Sequence, residues 1–254
     1  MASTYLVRTP SSAGNRKTWS FNFWVKRGSL GGSKGLFGLG SGAGVPRMYC
    51  QFENDKLIID QNQTGNSWNS TVTTNRLFRD VNAWYNILVV LDTTQATASD
   101  RVKIYVNGVQ ETSFSSSSYP SQNADMPFNN NSATSVGSIA GTNSNLFDGS
   151  MSHIHFTDGY AYAASDFGST DSTTGEWKIN TSPSVTYGTN GFFLLKDDNA
   201  VTDRSGQGNN YTLGGGTLTK TEDCPDNVFA TMNSLDKNTN VVLTNGNTTS
   251  YMAC

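Results

Sequence analysis

The chain has 254 residues, with 17 basic and 20 acidic side chains, a formal net charge of -3 and a sequence pI near 5.3. Charged residues make up only 15% of it, while 30 serines and 30 threonines fill the polar fraction, a composition of turns and strands rather than of helices. No run of basic residues tracks phosphates, and the longest aliphatic run, residues 87–91, falls far short of the roughly 18 that a membrane span needs, so neither nucleic acid nor membrane insertion is expected.

Strand signals run from residue 19 to about residue 156. Trp19, Phe21, Phe23 and Val25 alternate with Ser20, Asn22, Trp24 and Lys26. That period of two predicts a half-buried strand with Trp24 on its wet face, where it would mark a subunit contact. Further strands are predicted at 36–39, 47–53 and 56–60, punctuated by glycines and an Asn-Asp turn. Residues 84–91 are apolar on both faces, as in a central strand covered on both sides. Residues 101–106 then meet Asn107-Gly108, a strong hairpin signal, and return through 109–112. A serine-rich stretch at 115–118 and a polar loop at 129–131 precede two last strands, at 136–139 and 146–156. Many short strands with frequent turn signals indicate a β-sandwich or barrel.

After residue 158 the character changes. Residues 157–180 are loop-rich, with a single helical turn predicted near 164–167 and started by Ser165. Strands are predicted at 191–196 and 211–213, on either side of the polar turn Asp203-Arg-Ser-Gly-Gln-Gly-Asn-Asn. From residue 217 onward periodicity is weak, and 241–244 is the only strand-like piece. The N-terminus lacks the apolar stretch of a secretory signal. Three cysteines, Cys50, Cys224 and Cys254, cannot all pair within one chain, and Cys50 reads as a small buried hydrophobe.

Four segments in order, FNFWVKR, WYNILVVLD, VKIYVNGVQ and LFDGSMSHIHF, resemble the laminin-G-like, concanavalin A-like lectin/glucanase jelly roll, in which a Tyr-Val-Asn-Gly hairpin and a late Asp-Gly strand recur. Here these are Tyr105 to Gly108, then Asp148, Gly149 and Met151. The later segments DGYAYAASDFGSTDSTTGEWKIN, YGTNGFFLLKDD, DRSGQGNNYT and NVFATMNSLDK are similar to blocks of structural proteins of tailed, marine-type bacteriophages. The resemblance spans residues 17–240 and implies a virion protein: a tail or head fibre, a spike or a capsid decoration.

Glycoside hydrolysis ordinarily needs two facing carboxylates. Of the four glutamates only Glu53 has an acidic residue two positions away, Asp55, and that pair reads as solvated turn acids. His153 and His155, the only histidines, share a strand face by spacing and read as polar residues on the wet side, opposite Ile154 and Phe156. No metal ligand set is assigned. Calcium in an oxygen-rich loop around Asp197, Asp198, Asp203, Asn209 and Asn210 is the one cofactor question, and Asp and Asn occupy such turns for local reasons as well. No Gly-x-Ser-x-Gly elbow is present. For sugar stacking, Trp68 in its polar segment and Tyr119 in the serine-rich loop are the candidate ligand-binding residues.

The expected architecture is all-β: an arm over 1–16, a laminin-G-like jelly-roll sandwich of two antiparallel sheets over 17–160, a loop-rich segment with an added strand packed on it over 161–216, and an irregular tail over 217–254. The expected role is a non-enzymatic virion protein, a fibre or appendage module that binds host surface glycans. A capsid cement protein is the alternative and a glycan depolymerase the second. Expected partners are other virion proteins, host glycans and further copies of the chain, a trimer above all.

Overall fold

The computed structural model describes residues 4–40, 46–62, 70–139, 145–196, 200–228, 232–244, 247 and 249–252. Among them, two antiparallel sheets pack face to face as an all-β jelly-roll sandwich. Strands are numbered along the chain. One sheet has eight, in spatial order β10 (Phe114–Ser118), β6 (Ser70–Leu77), β5 (Lys56–Asn62), β4 (Arg47–Glu53), β3 (Ser33–Leu39), β11 (Thr134–Val136), β1 (Tyr5–Arg8) and β16 (Thr212–Gly215). The other has six: β15 (Phe192–Leu194), β12 (Gly149–Asp158), β2 (Thr18–Arg27), β7 (Trp84–Asp92), β8 (Val102–Val106) and β9 (Val109–Gln110). Two separate ribbons pair β13 (Gly168–Thr170) with β14 (Trp177–Ile179), and β17 (Val241–Thr244) with β18 (Thr249–Met252). The last strand carries no periodicity signal that sequence reading could use.

The alternation of β2 sets the core. Trp19, Phe21, Phe23 and Val25 are fully buried between the sheets, and Phe21 stacks on Phe37 of β3 with ring centroids 3.9 Å apart. Cys50, on the inner face of β4, is buried as a small hydrophobe, and burial pushes its thiol well up. Asn107 and Gly108 turn the β8–β9 hairpin with φ of 47° and 78°, the left-handed pair that a tight two-residue turn requires. Gly108 also lies against the ring of Trp177, so a Cβ has no room there.

A second apolar layer covers the outer face of the six-stranded sheet. Leu88 and Val90 of β7 pack against Ala164 and Phe167 of the one-turn helix α1 (Ala164–Phe167), with Tyr105, Tyr162, Trp177 and Val185 around them. Both faces of β7 are therefore buried, as its continuous apolar run predicts. The helix starts through Asp166, whose carboxylate accepts the Ala163 N–H at 2.9 Å, rather than through Ser165.

Burial overturns three expectations. Trp24 lies on the outer face of β2 but is only 4% exposed, so it is not on a wet surface. His153 and His155 are buried as well, at 3% and 1%. Nor do they project as a simple i, i+2 pair, because the β12–β2 register shifts between Ser152 and His155 and His153 takes a φ of 46°. The Glu53/Asp55 pair is also not a pair of solvated acids. Asp55 is 7% exposed and receives Arg27 at 3.0 Å and Arg79 at 3.2 Å. Arg27 is fully buried at the end of β2 and lies 4.8 Å over Phe52, so the ion pair ties the β4–β5 turn to the opposite sheet.

Candidate functional site

Polar side chains inside this fold divide into those already saturated and those left over. Asp158, at the end of β12, is 5% exposed and accepts the Asn15 N–H at 2.7 Å, the Asn129 amide at 2.6 Å and the Asn190 N–H at 3.0 Å. Three distant segments converge on it, and its oxygens are spent on holding them. Asp203 is similar: the Phe193, Ser205 and Asn209 N–H groups and the Ser205 hydroxyl all donate to its carboxylate.

That geometry answers the calcium question for the described part of the turn. Asn210 Oδ1 accepts the Asp203 N–H, and Asn209 Oδ1 accepts the Arg8 guanidinium. With their oxygens facing N–H donors, Asp203, Asn209 and Asn210 do not fit a calcium ion. Asp197 and Asp198 lie outside the described residues.

The histidines are equally committed. His155 Nδ1 lies 2.9 Å from the Tyr187 hydroxyl, and its ring stacks on Phe193 at 3.8 Å. Burial, followed by the electrostatic influence of His153 and Lys196, holds its pKa well below the ordinary value, so it is neutral at pH 7. His153 Nδ1 lies 2.8 Å from the Ser152 hydroxyl.

What remains is a groove of about 590 Å³. Its floor is the start of β12, residues 149–153, and its sides are Thr4 to Leu6, Val136, Phe147, Leu195 and Lys196, with residues 217–221 as the far wall. Thr4 and Thr217 fasten that wall reciprocally: the Thr4 hydroxyl donates to the Thr217 carbonyl at 2.9 Å, and the Thr217 N–H donates back to the hydroxyl at 3.1 Å. Farther along, Asp223 enters the body and accepts the Lys26 ammonium at 2.7 Å and the Trp84 indole N–H at 3.1 Å. Both charges of this ion pair are almost wholly buried.

Two charged groups on the groove have no such commitment. Asp148, half-buried just before β12, makes no side-chain hydrogen bond or ion pair with a described residue. Lys196, half-buried after β15, lies 5.6 Å from the Phe193 ring and meets no carboxylate among the described residues. One strong acceptor and one strong donor thus face a shared cavity, beside the hydroxyls of Ser150, Ser152, Thr219 and Thr221. Asp226, the other carboxylate there, engages the Cys224 thiol, and burial together with Asp226 pushes that thiol up to about 11.

Of the two residues expected to stack on sugar, Tyr119 is not among the residues lining this groove. Tyr119, just beyond β10, is half-buried and packs against the core at the far edge of the eight-stranded sheet. Trp68 falls in the connection between β5 and β6 and lies outside the described residues. Asp148 was legible only as part of an Asp-Gly motif, and nothing local in the sequence singles out Lys196 or Asp223.

The concanavalin A-like lectin/glucanases superfamily model Laminin_G_3 matches residues 2–166. No curated protein matches the chain. Among solved structures, a candidate carbohydrate binding protein from Bacteroides ovatus aligns at 16% identity and a TM-score of 0.49, over 84% of this chain and 56% of its own. The chain thus spans little more than half the length of that protein. Domains LG4-5 of the mouse laminin alpha1 chain align at 17% identity and a TM-score of 0.42, over 60% of this chain and 38% of theirs. The CBM40 of the Ruminococcus gnavus IT-sialidase aligns at 11% identity and a TM-score of 0.42, over 65% of this chain and 94% of its own. With a family model covering well over half of it and two antiparallel sheets in the matching sandwich, the chain belongs to the concanavalin A-like lectin/glucanases superfamily.

Proposed function

We propose that this protein is a non-catalytic glycan-binding module and that the groove along β12 is its sugar site. The observation that carries the reading is the presence of Asp148 and Lys196 on one hydroxyl-lined cavity, neither with an ion-pair or hydrogen-bond partner among the described residues. Sugar hydroxyls donate and accept at once, and a carboxylate and an ammonium lining one cavity supply both roles. The volume, about 590 Å³, lies in the usual range for small-ligand sites.

Catalysis is disfavoured by the carboxylates. A glycosidase acid is held protonated in its site. Asp60, whose carboxyl burial pushes upward, lies on β5 and away from the groove. Of the three aspartates on the groove, Asp223 is ion-paired and Asp226 is bound to the Cys224 thiol, which leaves Asp148 alone.

The setting follows from the resemblance of residues 17–240 to structural proteins of tailed phages. There the module serves as part of a tail or head fibre, and many copies on one particle turn weak contacts into firm attachment. Imaging of virions tests that placement: density projecting with a free distal face supports it, and density lying flat between capsid subunits replaces it with a cement protein.

The direct test is binding of the full chain to a glycan panel, alongside Asp148→Ala and Lys196→Ala. A hydrogen bond to a charged group contributes about 1.5–3 kcal/mol, so each substitution should weaken binding about tenfold to a hundredfold. An empty panel, binding untouched by both substitutions, or release of reducing ends from the bound glycan would each overturn the reading.

A further inference from the structure

The tail beyond residue 228 behaves unlike the rest of the chain. None of the described residues in 232–252 is buried. Within it β17 and β18 pair in register from Val241 with Met252 to Thr244 with Thr249 and form a ribbon of only two strands. Tyr251 is 56% exposed, Met252 64% and Leu235 55%. An isolated two-stranded ribbon is marginal in water, and three or more strands are needed for independent stability.

Its β18 edge is also unguarded, whereas Lys237 donates to the Val241 carbonyl of β17 at 2.7 Å. Natural edge strands carry lysine, proline or inward charges that block pairing with another chain. From Asn238 to Met252 the sequence NTNVVLTNGNTTSYM contains no charged residue and no proline. The four residues of β18 are Thr249, Ser250, Tyr251 and Met252, and all four are exposed.

We infer that β18 is a self-pairing edge and that its occupant is β18 of a second copy of this chain. Across a two-fold axis an edge strand meets its own residues, so any charge would face its like. An uncharged strand meets no such repulsion, and this is the argument for a second copy over a charged partner. Antiparallel pairing of the two β18 strands yields a four-stranded sheet, β17-β18-β18-β17, which passes the threshold that the lone ribbon fails. The inference does not rest on the glycan reading.

The test is sedimentation of the full chain over a range of concentrations, with Tyr251→Lys and Ser250→Pro beside the parent. The parent should shift reversibly from one protomer to two, because a four-residue edge gives a weak interface. Lysine places like charges across the two-fold, and proline removes an edge N–H, so both variants should stay monomeric. Their thermal melts should match the parent's, since the described tail contributes no buried side chain to the body. A parent that stays monomeric at sub-millimolar concentration overturns the inference. So does a three-protomer mass, or an oligomer that survives both substitutions.

Discussion

Asp223→Ala is the substitution whose consequences the structure determines most fully. It deletes the carboxylate that meets Lys26 at 2.7 Å and the Trp84 N–H at 3.1 Å, inside a region where the lysine side chain is 6% exposed. The ammonium is then left buried without its counter-charge, which costs about 3–5 kcal/mol in buried pairs of this kind. The loss of the indole bond adds about 1 kcal/mol. An alternative is open to the molecule: residues 217–228 lift away and water reaches Lys26, which caps the loss at whatever holds that segment down. Two assays separate these routes. Urea unfolding reads the global loss as a lower midpoint at unchanged slope, whereas limited proteolysis reads the local one as new cleavage between residues 217 and 228. The pair replacement Lys26→Met with Asp223→Leu should recover most of the stability, because neither charge then has to be desolvated. A single substitution that leaves both the urea midpoint and the protease pattern unchanged would refute the clasp.

Three further outcomes follow from buried groups. His155 is held neutral, with its folded pKa below the unfolded value, so the stability it contributes is full above the ordinary histidine range and is lost as pH falls through it. The slope approaches about 1.4 kcal/mol per pH unit for one proton, and His155→Phe should flatten the urea-midpoint profile between pH 7 and 5 by about that amount. Asp60 has the opposite sign: burial outweighs its bond from Thr71, its carboxyl is raised, and Asp60→Asn should increase the melting temperature at pH 7 and leave it unchanged in acid. A Cβ added to Gly38 on β3 would lie 2.7 Å from the Met48 carbonyl oxygen and against the Ile139 carbonyl. Gly38→Ala therefore forces backbone apart and should cost about 1–3 kcal/mol in chemical unfolding.

The local rules read correctly wherever one side chain's chemistry decides the outcome. Asn107-Gly108 announced its hairpin because few residue pairs take two successive positive φ angles. The alternation in β2 named the inner face, Trp19 to Val25, because a pleated strand leaves no other choice of partners. The continuous apolar run of β7 announced a strand covered on both sides.

Alternation tells which residues share a face, but not what covers that face. His153 and His155 looked exposed because their strand was half polar, yet the segment from α1 to β15 closes over them, and Trp24 is buried as well. The register shift in β12 is one irregular position in a ladder, and no residue type there announces it. The groove is less legible still. Asp148, Lys196 and Asp223 stand 48 and 27 residues apart along the chain and become neighbours of one cavity only when β12, β15 and the tail are packed together. Composition and periodicity specify a strand-rich sandwich, because those signals are local. Which charges go unpaired is a property of the assembled surface, because each partner comes from a different strand.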